Sequence, residues 1–184
     1  MTTFWWVRHG PTHAKSMVGW TDLAADLSDT DALSRLSDFL PDAPVVSSDL
    51  RRAKHTADAI QLGRTRLPDD PALREFNFGD WEMAPFRDDP VMRAFWEEPG
   101  DISAPNGESW NSVRQRVDGA VDHYRNLGEK NIIIVAHMGV IMGQLQRAKS
   151  QTAYEACGHR IDPLSVTQIV VSDPWRVPLI NHKP

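Results

Sequence analysis

The chain is short of features that several classes of protein require. It has one cysteine, Cys157, among 184 residues, so it can form no internal disulfide and nothing indicates an oxidising compartment. No apolar run approaches the roughly 18 residues typical of a membrane span, and the apolar run 4–7 is too short for a signal peptide. Internal repeats, low-complexity tracts and Gly/Ser linkers are also missing. These absences favour a single cytoplasmic domain over residues 1–184, with no membrane contact.

Basic residues are outnumbered by acidic residues. The formal net charge is −5, from 20 Lys and Arg residues against 25 Asp and Glu residues. Nucleic-acid-binding proteins normally present a clearly basic surface, so we expect no nucleic-acid partner. A small anionic ligand remains compatible with this charge, because a few converging arginines bind phosphate even in an acidic protein.

The residues that are present alternate between strand and helix patterns. Apolar runs predict strands at 4–7, 44–47, 131–136, 164–171 and 176–180, with a weaker strand at 65–67. Helical spacing predicts helices at 27–40, 49–61, 91–96 and 139–149, with a long helix opening at 106–108. This order predicts an α/β fold, a three-layer α/β/α sandwich with a mostly parallel central sheet. The irregular, proline-rich segment at about 68–105 is interpreted as a lid or specificity excursion.

Three of these strands run directly into polar clusters. The first ends in Arg8 and His9, the second is followed by Arg51 and Arg52, and the central strand ends at His137. Ligands of open parallel sheets bind beyond the carboxyl ends of the strands. We therefore expect the three clusters to converge on one anion-binding pocket that contains a candidate histidine nucleophile.

The motifs around these clusters occur in a recognisable order. They read RHG at 8–10 followed by Thr12, GWTD at 19–22, SSDLRRAKHTA at 47–57, LREFNFGDWE at 73–82, NGES at 106–109 and VAHMGV at 135–140. Together they resemble the histidine phosphatase superfamily, in the branch that contains the cofactor-dependent phosphoglycerate mutases. The resemblance implies a phosphoglycerate mutase-like fold.

The resemblance also implies a mechanism. His9 attacks phosphorus and forms a phosphohistidine, which water later hydrolyses, while Arg8, Arg52, Thr12 and His137 bind the phosphoryl oxygens. The attacking nitrogen must be unprotonated, and we expect the two arginines to favour the neutral imidazole. A histidine nucleophile with arginine electrostatics needs no metal ion and no cofactor.

Three glutamates are candidates for the proton donor. Glu75 resembles the family residue that protonates the leaving oxygen and then activates water, a role that requires a raised pKa. Glu82 and Glu108 are the alternatives. A zinc pair of His9 and His13 is disfavoured, because glycine and proline between them argue against a continuous helix.

The substrate rim is predicted to include Lys15, Trp20, Thr21 and Met138. Pro11, Lys15, Met83 and Met138 depart from the residues usual in the family. Lys15 and Met138 are expected close to the pocket, so these two departures bear on substrate specificity more than on chemistry. The segment 83–90 lacks the consecutive arginines of the mutases. We therefore expect a phosphatase acting on a small phosphorylated metabolite, and a homodimer is compatible with the sequence. The alternatives are mutase-type phosphoryl transfer and a phosphohistidine signalling or binding protein with little turnover.

Overall fold

A computed structural model describes residues 1–85, 87 and 89–184 of the chain. These residues form the strands β1 Thr2–Arg8, β2 Val45–Ser47, β3 Asn131–Ala136, β4 Val166–Val171 and β5 Arg176–His182. They form the helices α1 Thr30–Phe39, α2 Arg51–Gln61, α3 Pro90–Glu97, α4 Trp110–Arg125, α5 Met138–Lys149 and α6 Ala153–Cys157. Short 3₁₀ turns lie at Pro71–Leu73 and Gly79–Trp81.

The strands form one sheet in the order β2-β3-β1-β4-β5. The pairs β2–β3 and β1–β3 are parallel, whereas β1–β4 and β4–β5 are antiparallel. The predicted α/β sandwich is confirmed, and the mostly parallel sheet is confirmed in part: β1, β2, β3 and β5 run in one direction, whereas β4 runs opposite to both of its neighbours. The reason lies partly in the short link 172–175, because so few residues can join neighbouring strands only in antiparallel order.

Side chains that alternate along the strands build two apolar layers, one on each face of the sheet. Phe4 and Trp6 of β1 pack on the face covered by α4 and α5, whereas Val7 packs on the face covered by α1 and α2. β3 divides in the same way, with Ile132 and Ile134 on one face and Ile133 and Val135 on the other. This two-residue period gives the three layers.

Several element bounds differ from the sequence prediction. Helix α1 begins later than predicted, because the Asp29 side chain accepts a hydrogen bond from the Ala32 N–H and caps the helix there. The weak strand at 65–67 is only an isolated bridge between Val45 and Arg66. Helix α6 was not predicted. Among the helices formed by the described residues, none combines the length and apolarity that crossing a membrane requires.

The sheet register brings the predicted clusters together. Arg8 pairs with Ala136 in the β1–β3 ladder, and Ser47 pairs with Val135 in the β2–β3 ladder. The three parallel strands therefore end at the same edge of the sheet. The residues that follow them begin a shared site at that edge.

Candidate active site

His9 is fixed by its backbone and by its ring. Its N–H donates to the Ala136 carbonyl at 3.0 Å, just beyond the end of β1. The ring Nδ1 lies 2.7 Å from the Gly10 carbonyl, and Nε2 lies 3.2 Å from Arg52 Nε, which donates to it. Because a carbonyl only accepts, this geometry assigns the proton to Nδ1 and leaves the lone pair on Nε2.

The surroundings of His9 keep its ring neutral. Burial lowers the pKa of His9 to about 3, and the charge of Arg52 acts in the same direction. The hydrogen bond to the Gly10 carbonyl opposes the shift, and Arg8 adds a smaller lowering. The predicted neutral imidazole is confirmed, although desolvation rather than the arginines is its main cause. Nε2 is therefore available as a nucleophile at ordinary pH.

Two arginines flank this nitrogen. Arg52 is 1% exposed, and its guanidinium donates to the carbonyls of Thr21 at 3.0 Å and Gly19 at 2.6 Å. Arg8 donates to the Ile161 carbonyl, and its buried Nε has no hydrogen-bond partner among the described residues. Arg51, by contrast, is exposed. Arg52 is thus the member of the pair that the structure places beside His9.

His137 lies against the candidate nucleophile. It is fully buried, and its ring centroid is 5.1 Å from that of His9. Burial, followed by the charges of Arg52 and His9, lowers the pKa of His137 well below its ordinary value. Neither ring nitrogen has a hydrogen-bond partner within the described part of the chain. Buried polar groups are normally paired, so the two ring nitrogens of His137 are an exception that leaves them able to bind a ligand.

Glu75 is buried in the same cavity. Its carboxylate accepts hydrogen bonds from the N–H groups of Phe76 and Gly139, both at 3.1 Å. Burial raises the pKa of Glu75, while these two hydrogen bonds and the charges of Arg52 and Arg8 partly oppose the shift. The raised pKa predicted for a proton donor is confirmed.

The two alternative glutamates have structural partners. Glu82 accepts hydrogen bonds from the N–H groups of Gly19 and Trp20 and from the Thr21 hydroxyl. Although burial raises its pKa, these hydrogen bonds lower it overall. Glu108 pairs with Arg116 and accepts from the Asn77 N–H. Of the three carboxylates considered, only Glu75 lines the cavity described next.

A cavity of about 380 Å³ is lined by Arg8, His9, Arg52 and Glu75 but not by the predicted residue His137, whose ring packs against that of His9. Its lining includes the predicted residues Arg8, His9, Thr12, Lys15, Arg52, Glu75 and Met138. Trp20 and Thr21, which were predicted at the rim, lie outside this lining. The Trp20 Nε1–H donates to the Glu75 carbonyl at 2.8 Å, and its ring lies 4.7 Å from the Arg74 guanidinium. Each residue nevertheless contacts the site, Trp20 through the Glu75 carbonyl and Thr21 through its own carbonyl, which accepts a hydrogen bond from Arg52.

Sequence reasoning did not single out Arg116 on α4. Its guanidinium donates to the carbonyls of Ala72 at 2.9 Å, Arg74 at 2.7 Å and Glu75 at 2.7 Å, and it pairs with both oxygens of Glu108. It holds the segment that carries Glu75. No sequence pattern marks this role, because three of its partners are backbone carbonyls.

Two close approaches further fix the site. A Cβ at Gly19 would collide with the Phe76 carbonyl and the Glu82 carboxylate. A Cβ at Gly139 would lie 2.5 Å from Glu75 Oε1 and against the Phe76 ring. The loop that holds Arg52 and the helix end that holds Glu75 thus both pack too tightly for a side chain.

A metal site would require at least three suitable side chains close together. Within residues 1–85, 87 and 89–184, no group of three His, Cys, Asp or Glu side chains is arranged to hold a metal ion. His13, the possible partner of His9 in a zinc pair, instead lies 2.8 Å from Asp26.

Comparison with known proteins identifies the family. Residues 4–181 match the model of the histidine phosphatase superfamily (branch 1). Similar solved structures include Bacillus stearothermophilus YhfR, at 26% identity and a TM-score of 0.87, with 98% of this chain and 97% of that chain covered. The alpha-ribazole phosphatase from Shigella flexneri is 25% identical, with a TM-score of 0.82 and coverage of 99% and 97%.

A third structure, mycobacterial glucosyl-3-phosphoglycerate phosphatase Rv2419c, shares the fold. It is 23% identical with a TM-score of 0.85, and both chains are covered completely. A search of curated proteins gave no match. The family model spans nearly all of the chain and includes every strand and helix that builds the site. The chain therefore belongs to the histidine phosphatase superfamily, branch 1.

Proposed function

We propose that the chain is a phosphomonoester phosphatase that transfers the phosphoryl group first to His9 and then to water, without a metal ion or cofactor. The observation that carries the proposal is the buried, neutral His9, whose Nε2 lone pair lies beside the Arg52 guanidinium. Arg8, Thr12 and Glu75 line the same cavity, and His137 packs against the His9 ring.

In the first step, His9 Nε2 attacks phosphorus and the bond from phosphorus to the ester oxygen breaks. The ring gains positive charge as the P–N bond forms, and the hydrogen bond from Nδ1–H to the Gly10 carbonyl stabilises that charge. Arg8, Arg52, Thr12 and His137 donate to the phosphoryl oxygens, where negative charge is concentrated in the transition state. His137 stays neutral yet keeps one N–H to donate.

Glu75 supplies and recovers the proton. Its raised pKa favours the neutral carboxyl group, which donates a proton to the departing alcohol oxygen and becomes a carboxylate. The carboxylate then accepts a proton from the water that attacks the phosphohistidine, and the P–N bond breaks. The N–H groups of Phe76 and Gly139 stabilise the carboxylate between the two steps.

Hydrolysis is favoured over mutase activity by the charge of the cavity. A mutase must hold a second phosphate, yet Lys15 is the only cation besides Arg8 and Arg52 among the described lining residues. Two similar structures are phosphatases, one for alpha-ribazole and one for glucosyl-3-phosphoglycerate. They support a small phosphorylated metabolite as the substrate.

The test is phosphate release from p-nitrophenyl phosphate in excess EDTA. The wild-type chain is expected to retain activity in the chelator and to form an acid-labile phosphoprotein, whereas His9→Ala is expected to lose both. His55→Ala is the matched control, because His55 is exposed on α2 away from the cavity.

Two results would overturn the proposal. Loss of activity in EDTA would show that a metal ion takes part, and full activity in His9→Ala would exclude His9 as the nucleophile. Isomerisation of a phosphoglycerate without net phosphate release would indicate a mutase instead.

A further inference from the structure

The part of the cavity beyond the phosphoryl site is mostly apolar. Its remaining lining residues are Ala14, Lys15, Ser16, Met17, Val18, Phe78, Trp96 and Met138. Six of these eight side chains are apolar, and Ser16 directs its hydroxyl at the Met83 sulfur, 3.8 Å away. Whatever group the phosphate is attached to therefore meets mainly hydrocarbon, sulfur and aromatic rings.

Aromatic rings form one wall of this region. The Phe76 and Phe78 rings are stacked, with centroids 5.8 Å apart and planes at 9°. The Trp96 ring lies 6.0 Å from Phe78 and 4.9 Å from Phe95. Trp96 is half-buried and closes this cluster toward the cavity. Because its neighbours are buried and packed, the wall is ordered before any ligand arrives, which lowers the entropy cost of binding.

Met138 adds an apolar group next to the catalytic residues. It is the first residue of α5, directly after His137, and its side chain is 37% exposed. A thioether is polarizable and makes favourable contacts with aromatic rings. An exposed apolar side chain in a catalytic cavity is suited to contact a substrate ring.

Charge in the same region is sparse. Arg8 and Arg52 are assigned to the phosphoryl group, so Lys15 is the one remaining cation among the lining residues that the structure describes. Lys15 is exposed, and a solvated ammonium group on a flexible stem gives little geometric specificity. Recognition of a second phosphate normally uses several converging donors.

We propose that the alcohol portion of the substrate is an aromatic or other apolar group without a second phosphate, and that Trp96 and Met138 select it. This inference rests on the proposed phosphatase function, since it concerns the leaving group of the same reaction. The ring of such a substrate contacts Trp96 and Met138 while its phosphate occupies the site formed by Arg8, His9 and Arg52.

The test compares two primary alkyl esters, 3-phenylpropyl phosphate and glycerol 3-phosphate. Both leave as primary alcohols, so their leaving groups differ little in basicity and the comparison reports on binding of the carbon skeleton. Burial of the phenyl ring is expected to raise kcat/KM about tenfold or more over the glycerol ester. 1,3-Propanediol bisphosphate, which carries a second phosphate, is expected to be a poorer substrate than the phenyl ester.

Variants connect this preference to the named residues. Trp96→Ala is expected to reduce the ratio of the two kcat/KM values about fivefold or more, mainly through KM for the phenyl ester. Met138→Gln, which replaces an exposed side chain, is expected to reduce the same ratio without the folding risk of the tryptophan variant. Val91→Ala is the matched control, because Val91 lies exposed on the same helix as Trp96 but outside the cavity lining.

The outcomes separate the two proposals. Equal kcat/KM values for the phenyl and glycerol esters, or an unchanged ratio in both variants, would overturn the specificity inference and leave the phosphatase intact. A preference for the bisphosphate would overturn it as well. Hydrolysis of no ester, together with no phosphohistidine, would reject the proposed function itself and this inference with it.

Discussion

Replacing Glu75 with glutamine separates proton transfer from the structural contacts of this residue. Glutamine has nearly the same shape and keeps one oxygen to accept a hydrogen bond from Phe76 or Gly139, but it cannot donate and recover a proton. The first step with an alkyl ester needs a proton on a poor leaving group. The first step with p-nitrophenyl phosphate does not, because nitrophenolate leaves readily without one.

The two esters are therefore expected to respond differently. General acid catalysis typically contributes about 10²–10⁴ in rate, so Glu75→Gln is expected to lower kcat/KM for an alkyl ester by roughly that factor. For p-nitrophenyl phosphate, kcat/KM is expected to fall much less. Its kcat is still expected to fall, because in the proposed mechanism Glu75 also activates the water that hydrolyses the phosphohistidine. Rapid mixing should then show a burst of nitrophenol and an accumulated phosphoenzyme.

The same substitution has a consequence for stability. Burial raises the pKa of Glu75 above its ordinary value of 4.5, so the folded state binds this proton more tightly than the unfolded state does. The stability that this provides is complete below the ordinary value and is lost as pH rises through the folded-state pKa. Glu75→Gln is therefore expected to be more stable than the wild-type chain above that range, by about 1.4 kcal/mol for each unit of pKa shift.

The assay is urea unfolding at a series of pH values, run beside the kinetics. Glu97→Gln serves as the control, because Glu97 is an exposed carboxylate on α3 outside the cavity. Equal loss of kcat/KM for the alkyl and aryl esters would refute the role of Glu75 as proton donor. A stability difference that does not grow with pH would refute the claim that burial holds its pKa high.

Three further predictions concern the supports of the site. Arg116→Lys is expected to lower kcat for alkyl esters more than it changes KM, and to shift the alkaline limb of the pH profile. It is also expected to cost about 2 kcal/mol of stability, because buried carbonyls lose their donor. An unaltered pH profile would show that Arg116 has a purely structural role. Gly19→Ala is expected to destabilise the fold by about 1–3 kcal/mol in denaturant unfolding and to lower activity. Gly119→Ala is the control and should not destabilise the fold, because the added Cβ would have no atom of another segment within 4 Å. The His9 ring is expected to stay neutral until pH approaches about 3, as followed by NMR titration of the imidazole, and protonation near its ordinary pKa of 6.5 would contradict the burial argument. Because the folded-state pKa of His9 is depressed, its contribution to stability is present above 6.5 and is lost as pH falls toward about 3.

The elements that the sequence predicted well are those with a strong local pattern. The apolar run of β3 and the helical spacing along α4 were both located, because burial on both faces of a strand, or on one face of a helix, leaves a visible period. Strand direction was predicted less well, since β1–β4 pairing joins residues more than 150 positions apart in sequence and depends on no local signal. Helix α6 was missed because it is five residues long and carries no extended period.

In the candidate site, too, the residues with a local sequence pattern were predicted and the groups that hold them were not. His9, Arg52 and His137 follow strand ends, so a local pattern and a general rule for parallel sheets bring them together. The groups that hold them were not predictable. Arg52 is fixed by the carbonyls of Gly19 and Thr21, and backbone carbonyls have no signature in a sequence.

The partners of the arginines explain how an acidic chain can hold a phosphate. Arg74, Arg116 and Arg147 each form an ion pair with a carboxylate, which offsets their charge locally. Arg8 and Arg52 instead donate to backbone carbonyls, and neither forms an ion pair among the described residues. Carbonyl dipoles fix the direction of a guanidinium without cancelling its charge.

Burial also affects the charge of the titratable side chains beside these arginines. Burial keeps the rings of His9 and His137 neutral and raises the pKa of Glu75, whereas Arg8 and Arg52 bring positive charge to the cavity. A phosphate dianion entering the cavity supplies the charge that the fold leaves uncompensated. The net charge of −5 belongs to the whole chain, whereas the proposed reaction depends on a local field of the opposite sign.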